Sequence, residues 1–259
     1  MSDFKDRIIL ITGASSGIGA ATAVHFATKG AKLSLVARNA TKLEEVAEQC
    51  RQSGSEEVLV ISQDLSTQEG CDSAMEETVK HFKALDVLVN NAGMMHTENL
   101  QKLTGNKLDE AMDINVKSAL KLTQLATKWL EKSPLKAIVN VSSIAGLRAS
   151  PGSLAYKISK AAMDQLTRCS ALELAPKGIR VNSVNPGVIE TDFFVNSGLT
   201  VKASDNFVKE KSKKIHPLGR CGQPEEVAKV IAFLASLDAS FICGQTLAVD
   251  GGRSVTCPS

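Results

Sequence analysis

Short apolar runs alternate along the chain with longer stretches in which apolar positions recur every three or four residues. The runs fall at 7–12, 32–37, 57–62, 86–90, 136–142, 179–185 and 245–250, and most are near-continuous and rich in β-branched residues. Strands buried on both faces read this way. The periodic stretches fall at about 17–29, 41–53, 67–82, 108–130, 154–174 and 224–237 and read as helices. Repeated strand–helix alternation predicts an α/β fold: a doubly wound, seven-stranded parallel sheet with helices on both faces and right-handed crossovers. No repeat, low-complexity segment or linker interrupts it, so residues 1–259 read as one domain.

The rhythm breaks once. From Gly187 to Gly222 no strand pattern occurs, although the last strand is still to come. A loop that long within a compact domain is usually functional. Its Phe193, Phe194, Phe207 and Val208, with Gly187, Gly198 and Gly219 as flexible points, read as a substrate lid over 187–222. A packed helical excursion with no gating role is the other reading.

Composition removes several classes of function. A net charge of +2 suggests neither a nucleic-acid nor a membrane partner. Lys211, Lys213 and Lys214 form a small basic cluster that reads as a solvated helix face or lid. The six cysteines are scattered, with no CxxC and no His pair at metal-ligand spacing, so reduced thiols and no metal are expected. The first residues are polar and charged, no run approaches about 18 apolar residues, and the last four match neither a peroxisomal tripeptide nor a prenylation box. A cytoplasmic protein is the expectation.

Candidate chemistry lies at the ends of the strands. The first strand runs into Thr12-Gly-Ala-Ser-Ser-Gly-Ile-Gly19, and a helix follows. Glycines at 13, 17 and 19 permit a tight turn and close approach to a pyrophosphate, which the helix N-terminus would attract. This makes Gly13, Ser15, Ser16, Gly17, Ile18 and Gly19 candidates for nucleotide binding. At the end of the second strand an acid would hold a ribose 2′-hydroxyl and an Arg would accept a 2′-phosphate. Ala37 stands where the acid would be, and Arg38-Asn39 follows, which favours NADP(H) over NAD(H). Asp64, followed by Leu65, is placed to accept from an adenine amino group. Asn90-Asn91-Ala92-Gly93 ends the fourth strand beside the expected crevice, where Asn90 and the backbone of 92–93 are placed next to a dinucleotide.

Ser143 ends the fifth strand and can meet Tyr156 across the same crevice. Tyr156 and Lys160 lie four apart, on one face of a helix. An ammonium held beside a phenol favours the phenolate and lowers its pKa from near about 10, giving a general acid/base at neutral pH. Asn115 stands inside an otherwise regular helix, where an Asn is unfavourable.

Together these motifs resemble the classical short-chain dehydrogenases/reductases over nearly the whole chain. The match comprises Thr12–Gly19, Asp64, Asn90-Asn-Ala-Gly93, Asn115, Ser143, Tyr156-x-x-x-Lys160 and Asn185-Pro-Gly187, with Ser143 thirteen residues before Tyr156. The resemblance implies that Tyr156 is the general acid in reduction, Lys160 lowers its pKa and binds the nicotinamide ribose, and Ser143 polarises the carbonyl. It implies that Asn115 holds a helix distortion and a proton-relay water. It also implies that Pro186, Gly187, Val188 and Thr191 line the nicotinamide side. The members it is nearest to are carbonyl-reductase-like and β-ketoacyl-reductase-like; Leu172 stands where carrier-protein reductases have an Arg, which weakens an acyl-carrier-protein substrate.

The pocket expected from these positions comprises Met94, Met95, His96, Ile144, Ala145, Leu147, Ile189, Phe193 and Phe194. It is mostly apolar and suits a lipophilic ketone, dicarbonyl, quinone or retinoid. His96 reads as pocket wall or surface, and Arg148 as solvent-facing rather than substrate-binding. Leu154, Ile158, Ala162, Leu166 and Leu172 leave an apolar helix face for self-association, a homotetramer by the resemblance and a dimer as the alternative. The expected activity is NADPH-dependent carbonyl reduction. The alternatives are an NAD(P)-dependent dehydrogenase of a secondary alcohol and a non-enzymatic nucleotide sensor on the same fold.

Overall fold

Successive residues of β1 (Ile8–Thr12) face opposite sides of the sheet, and both sides are buried. Ile9 and Ile11 enter one apolar layer and Leu10 the other, all without exposed surface. The computed structural model describes residues 4–198 and 200–256. The other strands are β2 (Lys32–Ala37), β3 (Val58–Ser62), β4 (Val87–Asn90), β5 (Ala137–Val141), β6 (Arg180–Pro186) and β7 (Thr246–Val249). All seven pair in parallel in the order β3-β2-β1-β4-β5-β6-β7. The order reverses between β1 and β4, so a crevice opens there at the carboxyl ends of the strands.

One face is covered by α1 (Gly17–Ala27), α2 (Ala40–Gln52) and α11 (Pro224–Ala235), through Phe26, Leu43, Val46, Val227 and Ile231. The other is covered by α3 (Gln68–Phe82), α5 (Ser118–Leu130) and α7 (Leu154–Leu174), through Met75, Leu122, Leu130 and Ala171. Shorter pieces complete the chain: α4 (Gly105–Met112), α6 (Ile144–Leu147), α8 (Phe193–Asn196), α9 (Val201–Asn206) and α10 (Ser212–Ile215). Several buried polar side chains bond to one another across the layers. Asn90 Nδ2 donates to Asn140 Oδ1 at 2.9 Å, and Asn140 Nδ2 to Thr167 Oγ1 at 2.9 Å, tying β4 to β5 and α7.

Two expectations need correction. The helix expected at 108–130 begins earlier, at Gly105, where the Thr104 hydroxyl accepts from the Lys107 backbone N–H. It is also irregular, because a π-helical turn at Asp113–Lys117 separates α4 from α5. The segment from 187 to 222 holds α8 to α10 and is clasped at its base, where Glu190 N–H donates to Gly222 O and Gly222 N–H to Val188 O, each at 2.9 Å. Gly187 is no hinge: a β-carbon there would stand 2.8 Å from His216 Nε2 and 3.0 Å from Asp250 Cα. Gly198 and Gly219, at positive φ with open space around them, keep that freedom.

Cys50, Cys71, Cys169, Cys221 and Cys243 are free thiols, and Cys257 lies outside the described residues. Among the described residues no His, Cys, Asp and Glu group is arranged to hold a metal, and no helix is long and apolar enough to cross a membrane.

Candidate active site

The turn between β1 and α1 is shaped by the absence of side chains. Gly13 and Gly17 have φ of +62° and +55°. A β-carbon on Gly19 would stand 2.2 Å from Gly13 O, and one on Gly13 2.9 Å from Ala92 Cα. Asn91 braces the turn, donating from Nδ2 to Thr12 O at 2.8 Å and Gly13 O at 3.1 Å. The Thr12 hydroxyl accepts from the backbone N–H of Asn91 and of Ala92, both at 2.9 Å. Ser16 precedes α1 without capping it, and the first turn of α1 carries no acid. Its amides are therefore left for an anion, and the cradle fits a dinucleotide pyrophosphate. Gly19→Ala is expected to weaken nucleotide binding by about tenfold or more, since overpacking costs about 1–3 kcal/mol; a fluorescence titration measures it, and unchanged affinity would refute this account of the turn.

Past β2, Arg38 and Asn39 reach the rim. The Asn39 side chain caps α2 by accepting from Lys42 N–H at 2.9 Å. Asp64 accepts from Ser66 N–H at 3.0 Å, and that bond, helped by the Arg38 charge, holds its carboxyl below the usual range.

Asn115 sits in the π turn with no exposed surface. Its Oδ1 accepts from Met94 N–H at 2.7 Å, while Nδ2 donates to Met94 O at 2.9 Å and Ser159 Oγ at 2.8 Å. Asn115 thus locks the segment following Gly93 onto the helix bearing Tyr156 and Lys160.

Lys160 is buried, and its Nζ donates to Val141 O at 2.8 Å. It lies 5.6 Å from the centre of the Tyr156 ring. Burial lowers Lys160 to about 8, with the Asp164 charge opposing. Tyr156 is not lowered as the i,i+4 spacing led one to expect. Burial pushes it up to about 12, with a hydrogen bond from the Ser143 side opposing. The ammonium is committed to a carbonyl and faces the ring, so desolvation of the hydroxyl wins.

The shift of Lys160 has a consequence for stability. Between about pH 8 and 10.5 the folded chain releases a proton that the unfolded chain keeps, so stability rises across that window. The rise amounts to about 3 kcal/mol at most. Tyr156 acts oppositely, its contribution being lost only between about pH 10 and 12. Lys160→Met is expected to abolish the gain between pH 8 and 10, read as denaturant midpoints. A gain of equal size in the variant would contradict it.

One continuous cavity of about 1640 Å³ runs through all of this. It is lined by the residues predicted for cofactor and substrate except Gly19, Asn115, His96 and Leu147. Gly19 and Asn115 act from behind its wall. His96 pairs with Glu110, 2.8 Å away, and Leu147 faces solvent. Asn90 is also behind the wall, spent on Asn140, so Asn91 to Gly93 alone face the crevice. Arg148 is exposed, as expected, and also lines the mouth of the cavity, its guanidinium donating to Thr256 O at 2.9 Å.

Sequence reasoning missed Lys42, Lys157, His216 and Arg253, which also line it. His216 accepts from Val188 N–H at 3.2 Å through Nε2, while Nδ1 donates to Ser212 O at 2.7 Å; burial lowers its pKa and keeps it neutral. The rule that ligands gather off the carboxyl ends of strands, applied to β7, points to the turn carrying Arg253. His216 had no such signal.

The family model described as enoyl-(acyl carrier protein) reductase matches residues 13–254. The chain belongs to the short-chain dehydrogenase/reductase family. It is 36% identical over 251 residues to a 3-oxoacyl-(acyl-carrier-protein) reductase of Thermotoga maritima, covering 96% of this chain and 98% of the relative. It is 34% identical to a 7alpha-hydroxysteroid dehydrogenase of Bacteroides fragilis, across 100% of this chain and 98% of that one. A short-chain dehydrogenase/reductase of Caenorhabditis elegans, solved with cofactor, superposes with a TM-score of 0.93 at 38% identity, covering 98% and 97% of the two chains. The protein is therefore an oxidoreductase of a family that uses a nicotinamide cofactor and acts on small molecules.

Proposed function

We propose that this protein is an NADPH-dependent reductase that converts a ketone or aldehyde to the alcohol. The observation that carries the reading is the single cavity joining Arg38 and Lys42 at one end to Ser143, Tyr156 and Lys160 further along. Arg38 follows a strand that ends in Ala37, with no acid to hold a 2′-hydroxyl, and α2 has no acid in its first turn. A 2′-phosphate suits that rim better than a free ribose.

The nicotinamide, when bound, supplies the hydride. The chain's own residues do the rest. Ser143 and Tyr156 hydrogen-bond the carbonyl oxygen and stabilise the charge that develops on it. The Tyr156 hydroxyl then gives its proton to that oxygen. A phenol held at about 12 is fully protonated at neutral pH, and it remains a stronger acid than the alcohol being formed. The reverse oxidation would use the same groups. Lys160 is placed for the nicotinamide ribose, and Asn115 holds the two catalytic elements in register. Val188 and Thr191, which line the cavity, would hold the carboxamide, and the segment over 187–222 would cover the substrate.

A second reading, oxidation of a secondary alcohol such as a steroid, draws support from the hydroxysteroid dehydrogenase relative. Oxidation of NADPH beside NADH against quinones, α-dicarbonyls, retinal, ketosteroids and β-ketoacyl thioesters separates the readings. Turnover preferring NADPH is the expected result; turnover of alcohols with NAD alone would overturn it.

Ile158 and Leu172 are exposed on α7, while Leu154, Ala162 and Leu166 are half-buried. Phe233, Leu237, Phe241 and Leu247 are exposed around α11 and β7. A homotetramer formed over these two surfaces is the assembly they suit, and a monomer mass by light scattering would defeat it.

A further inference from the structure

The cavity is lined by aromatic as well as cationic side chains. Phe193 packs on Tyr156 at 5.7 Å between ring centres, and Phe194 continues the aromatic wall. Arg148, Lys157 and Arg253 also line it, from the turn after α6, the first turn of α7 and the turn after β7.

Among the described residues none of these cations forms an ion pair with a carboxylate, although the Asp250 charge acts on Arg253. The carboxylates lining the cavity are Asp64, Glu110 and Asp113. Glu110 pairs with His96, Asp113 with Lys117, and Asp64 is held by Ser66. Arg148 and Lys157 donate only to carbonyls, of Thr256 and of Pro151 and Gly152. Arg253 is half-buried, and among the described residues nothing hydrogen-bonds or ion-pairs its guanidinium. Asp250, the acid whose charge acts on it, instead accepts from the backbone N–H of Gly252 at 3.0 Å and of Ser254 at 2.5 Å. Lys157 and Arg253 also repel each other: burial, then the Arg253 charge, lowers Lys157. Lys157 and Arg253 are partly desolvated like charges, which is costly, and an oxyanion between them would relieve both the desolvation and the repulsion.

We propose that Arg148, Lys157 and Arg253 form a subsite for an oxyanion carried by the substrate, a carboxylate or a phosphate. The substrate is then an amphipathic anion, its apolar body against Phe193 and Phe194 and its charged group at Arg253. This rests on the reductase reading in one respect, that the substrate lies at Tyr156.

The test is calorimetric titration of NADP-saturated protein, whose cofactor phosphate sites are filled, with octanoate, octyl phosphate and octanol. At least one anion is expected to bind about tenfold or more tighter than octanol, as a charge-assisted contact in a half-buried site allows. The tighter anion names the group. Arg253→Gln is expected to remove the preference and Arg253→Lys to keep most of it, with NADPH affinity reporting an intact fold in each. Equal affinity for all three ligands, or a preference that survives Arg253→Gln, overturns the subsite. Failure of NADPH turnover across the carbonyl panel, with the anion preference present, would overturn the reductase reading and leave the subsite standing.

Discussion

Tyr156→Phe lowers kcat for carbonyl reduction by about 10³-fold on this account, within the roughly 10²–10⁴ that a positioned acid contributes. NADPH affinity should stay within about threefold, because the ring and its contact with Phe193 remain. Only the hydroxyl that protonates the substrate oxygen is lost. The pH profile gives an independent readout. With Tyr156 held at about 12, its own limb in the reductive kcat lies far into the alkaline range, whereas a limb near pH 8 would belong to Lys160. Steady-state kinetics with saturating NADPH measures both. A variant that keeps a tenth of the activity would remove Tyr156 from the acid role.

Arg38→Ala should raise the apparent Kd for NADPH by about 10- to 100-fold, the range of one lost charge-assisted contact to a phosphate. NADH should change by no more than about threefold. The difference arises because Arg38 is exposed at the rim and its charge is needed only where a 2′-phosphate arrives. Lys42, in the first turn of α2, is placed to share the load, so the loss should fall short of complete. Direct binding titrations with the two cofactors decide the matter, and equal losses would mean that Arg38 does not read the phosphate.

Much of this was legible in the chain itself. Strands such as 32–37 and the helix 154–174 were bounded correctly, because parallel strands buried on both faces leave continuous apolar runs and helices leave a 3.6 period. The Gly-rich turn could be read because Gly13 and Gly17 adopt positive φ and Gly19 abuts a carbonyl, requirements that appear in sequence as glycine. Tyr156 and Lys160 could be paired because four residues of helix put them on one face.

Other features depend on contacts made across the chain. The π turn at Asp113–Lys117 is held by Asn115 bonding to Met94, twenty-one residues earlier, so local propensity shows only an ill-placed Asn. The direction of the Tyr156 shift was misjudged from spacing, because spacing gives proximity to an ammonium but neither the burial of the hydroxyl nor the claim of Val141 O on Lys160. His96 and Leu147 were placed in the pocket by neighbourhood and leave it through Glu110 and solvent. Lys157 and Arg253 are meaningless apart in the sequence and come together only in the fold, where both line the cavity and the Arg253 charge acts on Lys157. The sequence by itself thus determined the fold class and singled out the candidate reacting groups, which follow from periodicity and short-range spacing. The protonation of those groups and the charge of the substrate end were decided by tertiary structure, because burial and long-range Coulomb contacts exist only once the sheet has brought its loops together.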